Sequence, residues 1–341
     1  MKKSKIIVFA VIFSLFLMCS VALSEENSNV LYVDDDGEAD YTYIQDAIDD
    51  AVDGDTIFVY NGLYQEALFV NKSINLIGEN KEETIISGGD FQLSYQFGKP
   101  FQNSSALINL LSDDIKVYGF TIKNSTKLKF PYSIDEDYVI NLELVIDIGV
   151  GIKISSNNNT ISDNIIENNG ADGIIFSNGA SNNILSNNKI TNNGERGIYL
   201  ENGSKNQFVN NTIKDNKLGI IFLENSYENI FYHNNFINSA LYHTSDNGKN
   251  IFYSEELKEG NYWDDHNSTD KDNDGICDIA YNTSSTTQDK YPLMNPYMGR
   301  IIIKDFYVDE FSVQMMLVVG MIAVIIFCIP IGLWWRKKYF K

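Results

Sequence analysis

The sequence predicts an all-β protein wound as a single-stranded parallel β-helix, with a short N-terminal capping helix and one C-terminal transmembrane helix. Three observations predict it. The stretch 182–205, "NNILSNNKITNNGERGIYLENGSK", nearly repeats 158–181, "NNTISDNIIENNGADGIIFSNGAS". It is echoed again by 206–228, "NQFVNNTIKDNKLGIIFLENSYE", and by a weaker copy from 229. Self-similarity at this spacing is the mark of a solenoid. Each copy also holds short alternating apolar runs of strand type, and each is dense in Asn. A leucine-rich repeat has a similar period, but its helical face and Leu-x-x-Leu-x-Leu frame are missing here.

From the start of the chain, residues 1–24 read as a signal peptide. Lys2, Lys3 and Lys5 precede an apolar run, and Ala22 and Ser24 give cleavage spacing. Residues 25–54 read as an N-terminal cap. In "TYIQDAIDDAV" (42–52), Ile44, Ala47, Ile48 and Ala51 share one helical face, and Thr42 with Gln45 makes a capping box.

Residues 55–260 are expected to form roughly seven to nine coils. "GIKI", "GIIF", "GIYL" and "GIIF" are short strands. They predict an inward column Ile152, Ile174, Ile198, Ile220 beside Ile154, Phe176, Leu200, Phe222. Two further columns follow, Ile161, Leu185, Val209 and Ile166, Ile190, Ile213. Asn tolerates the left-handed backbone that a sharp corner needs. Equivalent residues such as Asn168, Asn192 and Asp215 are placed to form amide ladders between coils. The stretches 90–105 and 125–145 break the period and read as projecting loops.

Residues 261–297 read as a C-terminal cap with an Asp-rich loop, and 298–312 as a stalk. Residues 313–335 are long and apolar enough to span a bilayer. Trp334 and Trp335 sit at its end, and Arg336, Lys337 and Lys338 open a cytoplasmic tail, 336–341. The bulk of the chain is therefore expected outside a single-pass membrane anchor.

The chain carries 46 acidic and 26 basic residues, a formal net charge of −20. The exterior part is more acidic still, because the two ends hold Lys and Arg but no Asp or Glu. Such a surface excludes nucleic acid and anionic polymers as partners and attracts divalent cations. Cys277 is the only cysteine outside the two terminal segments, so no disulfide framework is expected.

Two sets of candidate site residues emerge. If Ile174 and Phe176 point inward, then Lys153, Ile175, Tyr199 and Ile221 point outward from one position of successive coils, and Tyr242 extends the column. A flat apolar and aromatic strip of this kind suits sugar rings, and cover by the 125–145 loop is the competing explanation. The second set lies in "DKDNDGICD" (270–278), which fits the opening of an EF-hand loop. Asp270, Asp272 and Asp274 converge, Gly275 permits the turn, Ile276 offers its carbonyl and Asp278 completes the shell. This is the chemistry of a structural Ca2+ site. Tyr281 stands where an EF-hand has its bidentate Glu, so Asp264 or Asp265 is expected to join.

Three stretches together resemble NosD-like proteins. They are "DYTYIQDAIDDAVDGDTIFVYNGLYQEALFVNKSINLIGEN", the Asn-rich coils, and "GNYWDDHNSTDKDNDGICDIAYN" with its later "DKYPLMNP". The resemblance covers about residues 31–297. It implies a right-handed, pectin-lyase-like helix in the group of carbohydrate-binding and sugar-hydrolase repeat domains, on the cell surface. The family label implies copper. Copper of the soft kind needs Met, Cys or clustered His. His233, His243, His266, Cys277, Met294 and Met298 show no cluster along the sequence, so copper is not expected as a partner.

No catalytic residues stand out. Asp113 and Asp114 are adjacent and alternate apart, and Arg196 reads as a surface residue. The sequence therefore favours non-catalytic binding of carbohydrate or cell-envelope polymer. A polysaccharide lyase or hydrolase, and a purely architectural surface-layer protein, are the alternatives.

Overall fold

In the computed structural model the described residues are 28–37, 39–88, 106–125, 127–132, 142–147, 149–246 and 250–298. The expected signal peptide, transmembrane span and tail lie outside them, as do the 90–105 loop and nearly all of the stalk. Among the described residues no helix is long and apolar enough to cross a membrane.

Every strand of the coils pairs in parallel with the equivalent strand of the next coil, which builds three sheets. The first sheet runs from Val30–Val33 through Thr56–Val59, Asn75–Gly78, Lys116–Tyr118, Thr160–Ser162, Ile184–Ser186 and Gln207–Val209 to Ile230–Tyr232. The second runs from Gly62–Tyr64 to Tyr262–Trp263. The third has seven strands, from Leu68–Val70 to Thr244–Asp246. Two small antiparallel pairs stand apart. One is Lys127–Tyr132 with Leu142–Asp147, so the expected loop 125–145 contains a hairpin. The other is Tyr281–Asn282 with Gln288–Asp289.

Alternation decides what faces inward. Ile152, Ile174 and Ile198 are fully buried, with Ile154, Phe176 and Leu200 beside them. Ile166, Ile190 and Ile213 form a second buried column. Two expected columns need correction. Leu185 pairs with the buried Phe208, and Val209 pairs with Ser186 on the outer face. Ile198 pairs with Ile221 rather than Ile220, and Leu200 with Leu223 rather than Phe222. The misleading landmark was Gly219. It stands three residues after Asn216, whereas Gly197 stands four after Asn193, and in the structure Gly219 pairs with Arg196.

The Asn residues divide two tasks between neighbours. The first of each pair makes the corner: Asn168, Asn192, Asp215 and Asn238 all have φ between 53° and 56°. The second carries the ladder. Asn169 Nδ2 donates to Asn193 Oδ1 and Asn193 Nδ2 to Asn216 Oδ1, each at 3.0 Å. The ladder expected for 168, 192 and 215 is thus displaced by one residue. Two further ladders run Asn159, Asn183, Asn206, Asn229, Asn250 and Asn164, Asn188, Asn211, Asn234, Asn261.

The expected N-terminal helix is present over Ile44–Asp50, with Ile44, Ala47 and Ile48 buried against the first coil. Its cap differs from the capping box. Tyr43 is the N-cap and supplies no side-chain bond. Glu66, from the following turn of chain, accepts from the N–H groups of Ile44 and Gln45 at 2.9 and 3.0 Å. Gln45 instead accepts from Phe69 N–H through Oε1.

Aromatic residues fill the core toward the C-terminus. Phe208 and Phe231 stack at 4.3 Å, as do Trp263 and Tyr281, and Trp263 lies 4.2 Å from Phe236. Trp263 closes the last coil as expected. Tyr262 pairs with Asn235 and lies half-exposed, so the second covering ring is Tyr281.

Candidate functional site

The third sheet brings part of the expected stripe together. Lys153 pairs with Ile175, and Ile175 with Tyr199, each half-buried on the outer face. The register places Phe222 beside Tyr199, so Ile221 leaves the stripe. Ser245 follows Phe222, and Tyr242 lies outside the column. Tyr242 sits instead against Gly219, whose added Cβ would come 3.0 Å from its ring.

Arg196 is not a solvated surface residue. Its guanidinium makes two bonds to the buried carboxylate of Asp172, at 2.7 and 2.9 Å, and lies 4.1 Å from the centre of the Tyr199 ring. Burial opposes its charge, but the Asp172 hydrogen bonds and charge raise its pKa above the ordinary value. One face of Tyr199 is therefore already occupied.

A second platform escaped the sequence reading. On the outer face of the first sheet Tyr32 pairs with Phe58, Phe58 with Ile77, and Ile77 with Tyr118. Tyr60 joins from the end of its strand. Its ring stacks with Tyr32 at 6.1 Å and meets Phe58 edge-on at 5.2 Å. The chain from Asp34 folds back to Tyr41, where Asp34 N–H donates to Tyr41 O at 2.9 Å. This walls a cleft of about 520 Å³ lined by Tyr32, Asp34, Ala39, Asp40 and Tyr60. The signal for it was in the strands "VLYV" and "TIFVY", whose alternation turns Tyr32 and Phe58 outward.

In the Asp-rich loop the ligand atoms of Asp270, Asp272 and Asp274 lie within 4.8 Å of one another. Asp270 accepts from the N–H groups of Asp274 and Gly275, and Gly275 has φ +88°. Asp278 is engaged elsewhere, accepting from Thr269 Oγ1 at 2.7 Å, and Ile276 forms a bridge to Leu293. Asp264 and Asp265 do not join this loop. Their carboxylates lie 2.9 and 3.2 Å from His243 Nε2.

Among the described residues the soft donors relevant to copper are sparse. Cys277 Sγ lies 3.9 Å from Met294 Sδ, and burial raises its thiol pKa. Met298 is almost wholly exposed. His233 is bonded to Glu259 at 2.6 Å and stacks on Tyr297. Among the described residues, the Cys277–Met294 pair with its disfavoured thiolate does not by itself make the set that copper(I) needs.

Several solved structures are similar in fold. Pectin methylesterase PemA from Erwinia chrysanthemi matches at 17% identity over 64% of this chain and 66% of that one, with a TM-score of 0.42. The carrot pectin methylesterase matches at 14% over 61% and 63%, with a TM-score of 0.38. The rice weevil enzyme matches at 13% over 72% and 71%, with a TM-score of 0.41. The chain thus spans less than two thirds of the carrot and Erwinia enzymes. No curated protein matches the sequence. The model of a family described as periplasmic copper-binding protein (NosD) matches residues 48–268, most of the coiled part. With its Asn ladders and parallel coils, the chain belongs to the NosD family.

Proposed function

We propose that the protein is an extracytoplasmic β-helix module, held at the membrane by residues 313–335, that binds neutral saccharide chains without cleaving them. The observation that carries this reading is the cleft of Tyr32, Tyr60, Asp34 and Asp40. Exposed aromatic faces beside carboxylates match a pyranose, which offers a C–H face to a ring and hydroxyl donors to an acceptor. The acidic surface opposes uronate polymers, so a neutral sugar is the better occupant. The family's periplasmic description supports a place in the cell envelope. The outer column of Lys153, Ile175 and Tyr199 is a second surface for the same chain.

The experiment is a glycan array and calorimetry on the full chain in detergent. Tyr60→Ala should weaken binding about tenfold, or about 1.4 kcal/mol, with unchanged melting. Loss on Tyr199→Ala alone would move the site to the third sheet. Release of new sugar ends from the bound glycan would establish an enzyme instead.

The loop 270–278 is proposed to hold Ca2+ through Asp270, Asp272 and Asp274, with water in place of the engaged Asp278. Three carboxylates this close repel one another unless a cation lies among them. The ion would stiffen the segment that Cys277 N–H and Met294 N–H fasten to the residues around Pro292 and Gly275. Calcium should raise the melting temperature and chelator lower it. Equal melting, with no calcium found by elemental analysis, would remove the proposal.

A further inference from the structure

His243 is 4% exposed and stands just before the last strand of the third sheet. Two consecutive carboxylates converge on its Nε2, Asp264 Oδ1 at 2.9 Å and Asp265 Oδ1 at 3.2 Å. Each carboxylate is held from behind. Asp264 Oδ2 accepts from Asn238 N–H at 2.7 Å, and Asp265 Oδ2 accepts from Tyr281 O–H at 3.3 Å. Tyr281 is itself fixed by stacking on Trp263, which meets the His243 ring edge-on at 6.0 Å. The three donors are therefore positioned by three separate parts of the chain.

Their charges do not balance by themselves. His243 Nδ1 is buried and has no hydrogen-bond partner among the described residues. A neutral ring therefore keeps its one proton on Nε2, where a single N–H serves two carboxylates. Whether the imidazole is neutral or protonated, the cluster keeps net negative charge. A divalent cation bound to Nε2 requires the ring's proton to sit on Nδ1 instead, and the ion, one neutral imidazole and two carboxylates then sum to zero.

The distances suit that replacement. With metal–ligand bonds of about 2.0–2.2 Å, two ligand atoms on one tetrahedral ion lie about 3.3 Å apart. The observed separations from Nε2 need only a few tenths of an ångström of adjustment. Asp265 is more than half exposed, which leaves a side open to water as a fourth ligand.

We propose that His243, Asp264 and Asp265 form a binding site for a divalent cation of the zinc class, separate from the Asp-rich loop. A mixed nitrogen and oxygen set selects a borderline ion over calcium and over copper(I). Because Nδ1 lacks an acceptor to raise ligand basicity, the affinity is moderate rather than that of a closed structural site. The site stands whether or not the protein binds saccharide.

The test uses the full chain in detergent, stripped with chelator and titrated with Zn2+ by calorimetry. Co2+ absorption reports the coordination. Wild type and Asp272→Asn should each take up one Zn2+ at this site, and Co2+ should give a visible band without thiolate charge transfer. Asp265→Asn, at an exposed position that keeps an acceptor for Tyr281, should weaken Zn2+ about a hundredfold. His243→Gln should abolish this binding. No Zn2+ uptake by the wild type would overturn the proposal, and so would unchanged uptake by Asp265→Asn.

Discussion

Asn183 shows why no other residue serves at its position. Its Oδ1 accepts from Asn159 through both the backbone N–H and Nδ2, at 2.8 and 2.9 Å. Its Nδ2 donates to Ser156 O and Asn206 Oδ1. All four partners are met at 0% exposure. The preceding Asn182 does something different, holding φ +59° at the corner. Asn183→Ala should therefore cost about 3 kcal/mol or more, since several buried groups lose partners. Asn182→Ala should cost about 1 kcal/mol, the left-handed penalty alone. Chemical denaturation of the two variants separates the roles, and equal losses would refute the division. Glu228 occupies the same corner position with φ +57°, so Glu228→Asn should stabilise by several tenths of a kcal/mol up to about 1. The ladders also dictate glycine. A Cβ on Gly173 would lie 2.6 Å from Gly197 O and 2.9 Å from Asn193 Nδ2. Gly173→Ala should lose about 1–3 kcal/mol through overpacking.

At the scale of elements, the N-terminal helix depends on a side chain from the next strand region. Seven residues are too few to be stable alone. Two of its free N–H groups are met by Glu66, which is 9% exposed. Glu66→Ala should destabilise by about 1–3 kcal/mol, and fraying at Ile44 and Gln45 should appear in hydrogen exchange. The helix was legible because Ile44, Ala47 and Ile48 recur at helical spacing. Its cap was not, because Glu66 is twenty-two residues away from Ile44 and no local motif points to it. Strand register divides the same way. Ile174 over Ile198 follows from two copies of equal length, and the structure keeps it. The third copy is one residue shorter, and Gly219 was an attractive but false marker. The Asn pair was the true one, because a ladder fixes spacing between coils and a glycine only permits it. The pairing of Asp264 and Asp265 with His243 is not legible in the sequence, because His243 is more than twenty residues away while the Asp-rich loop is close by.

For the whole molecule, a solenoid must end, and one ladder shows how. The chain Asn164 to Asn261 finishes on Asp289, which is fully buried. Its Oδ2 accepts from Asn261 N–H, Asn261 Nδ2 and Trp263 Nε1, and its Oδ1 from Tyr291 N–H. Gly260 must lack a side chain, since its Cβ would overlap this carboxylate. Both oxygens meet only donors, so an amide cannot replace the acid without setting an N–H against one of them. Burial nevertheless dominates and raises the pKa from 3.8 to about 6, with the hydrogen bonds pulling the other way. The sign of the pH effect follows. Between pH 4 and 6 the unfolded chain has lost this proton while the folded chain retains it. Stability contributed here is full below about pH 4 and falls as pH rises toward 6, by about 2–3 kcal/mol. Other carboxylates titrate in the same range, so the useful quantity is the difference between wild type and Asp289→Asn. That difference, from chemical denaturation at steps from pH 4 to 7, should decline through pH 4–6 and level above it. A flat difference would mean that Asp289 is ionised in the folded protein throughout, and that its four donors outweigh its burial.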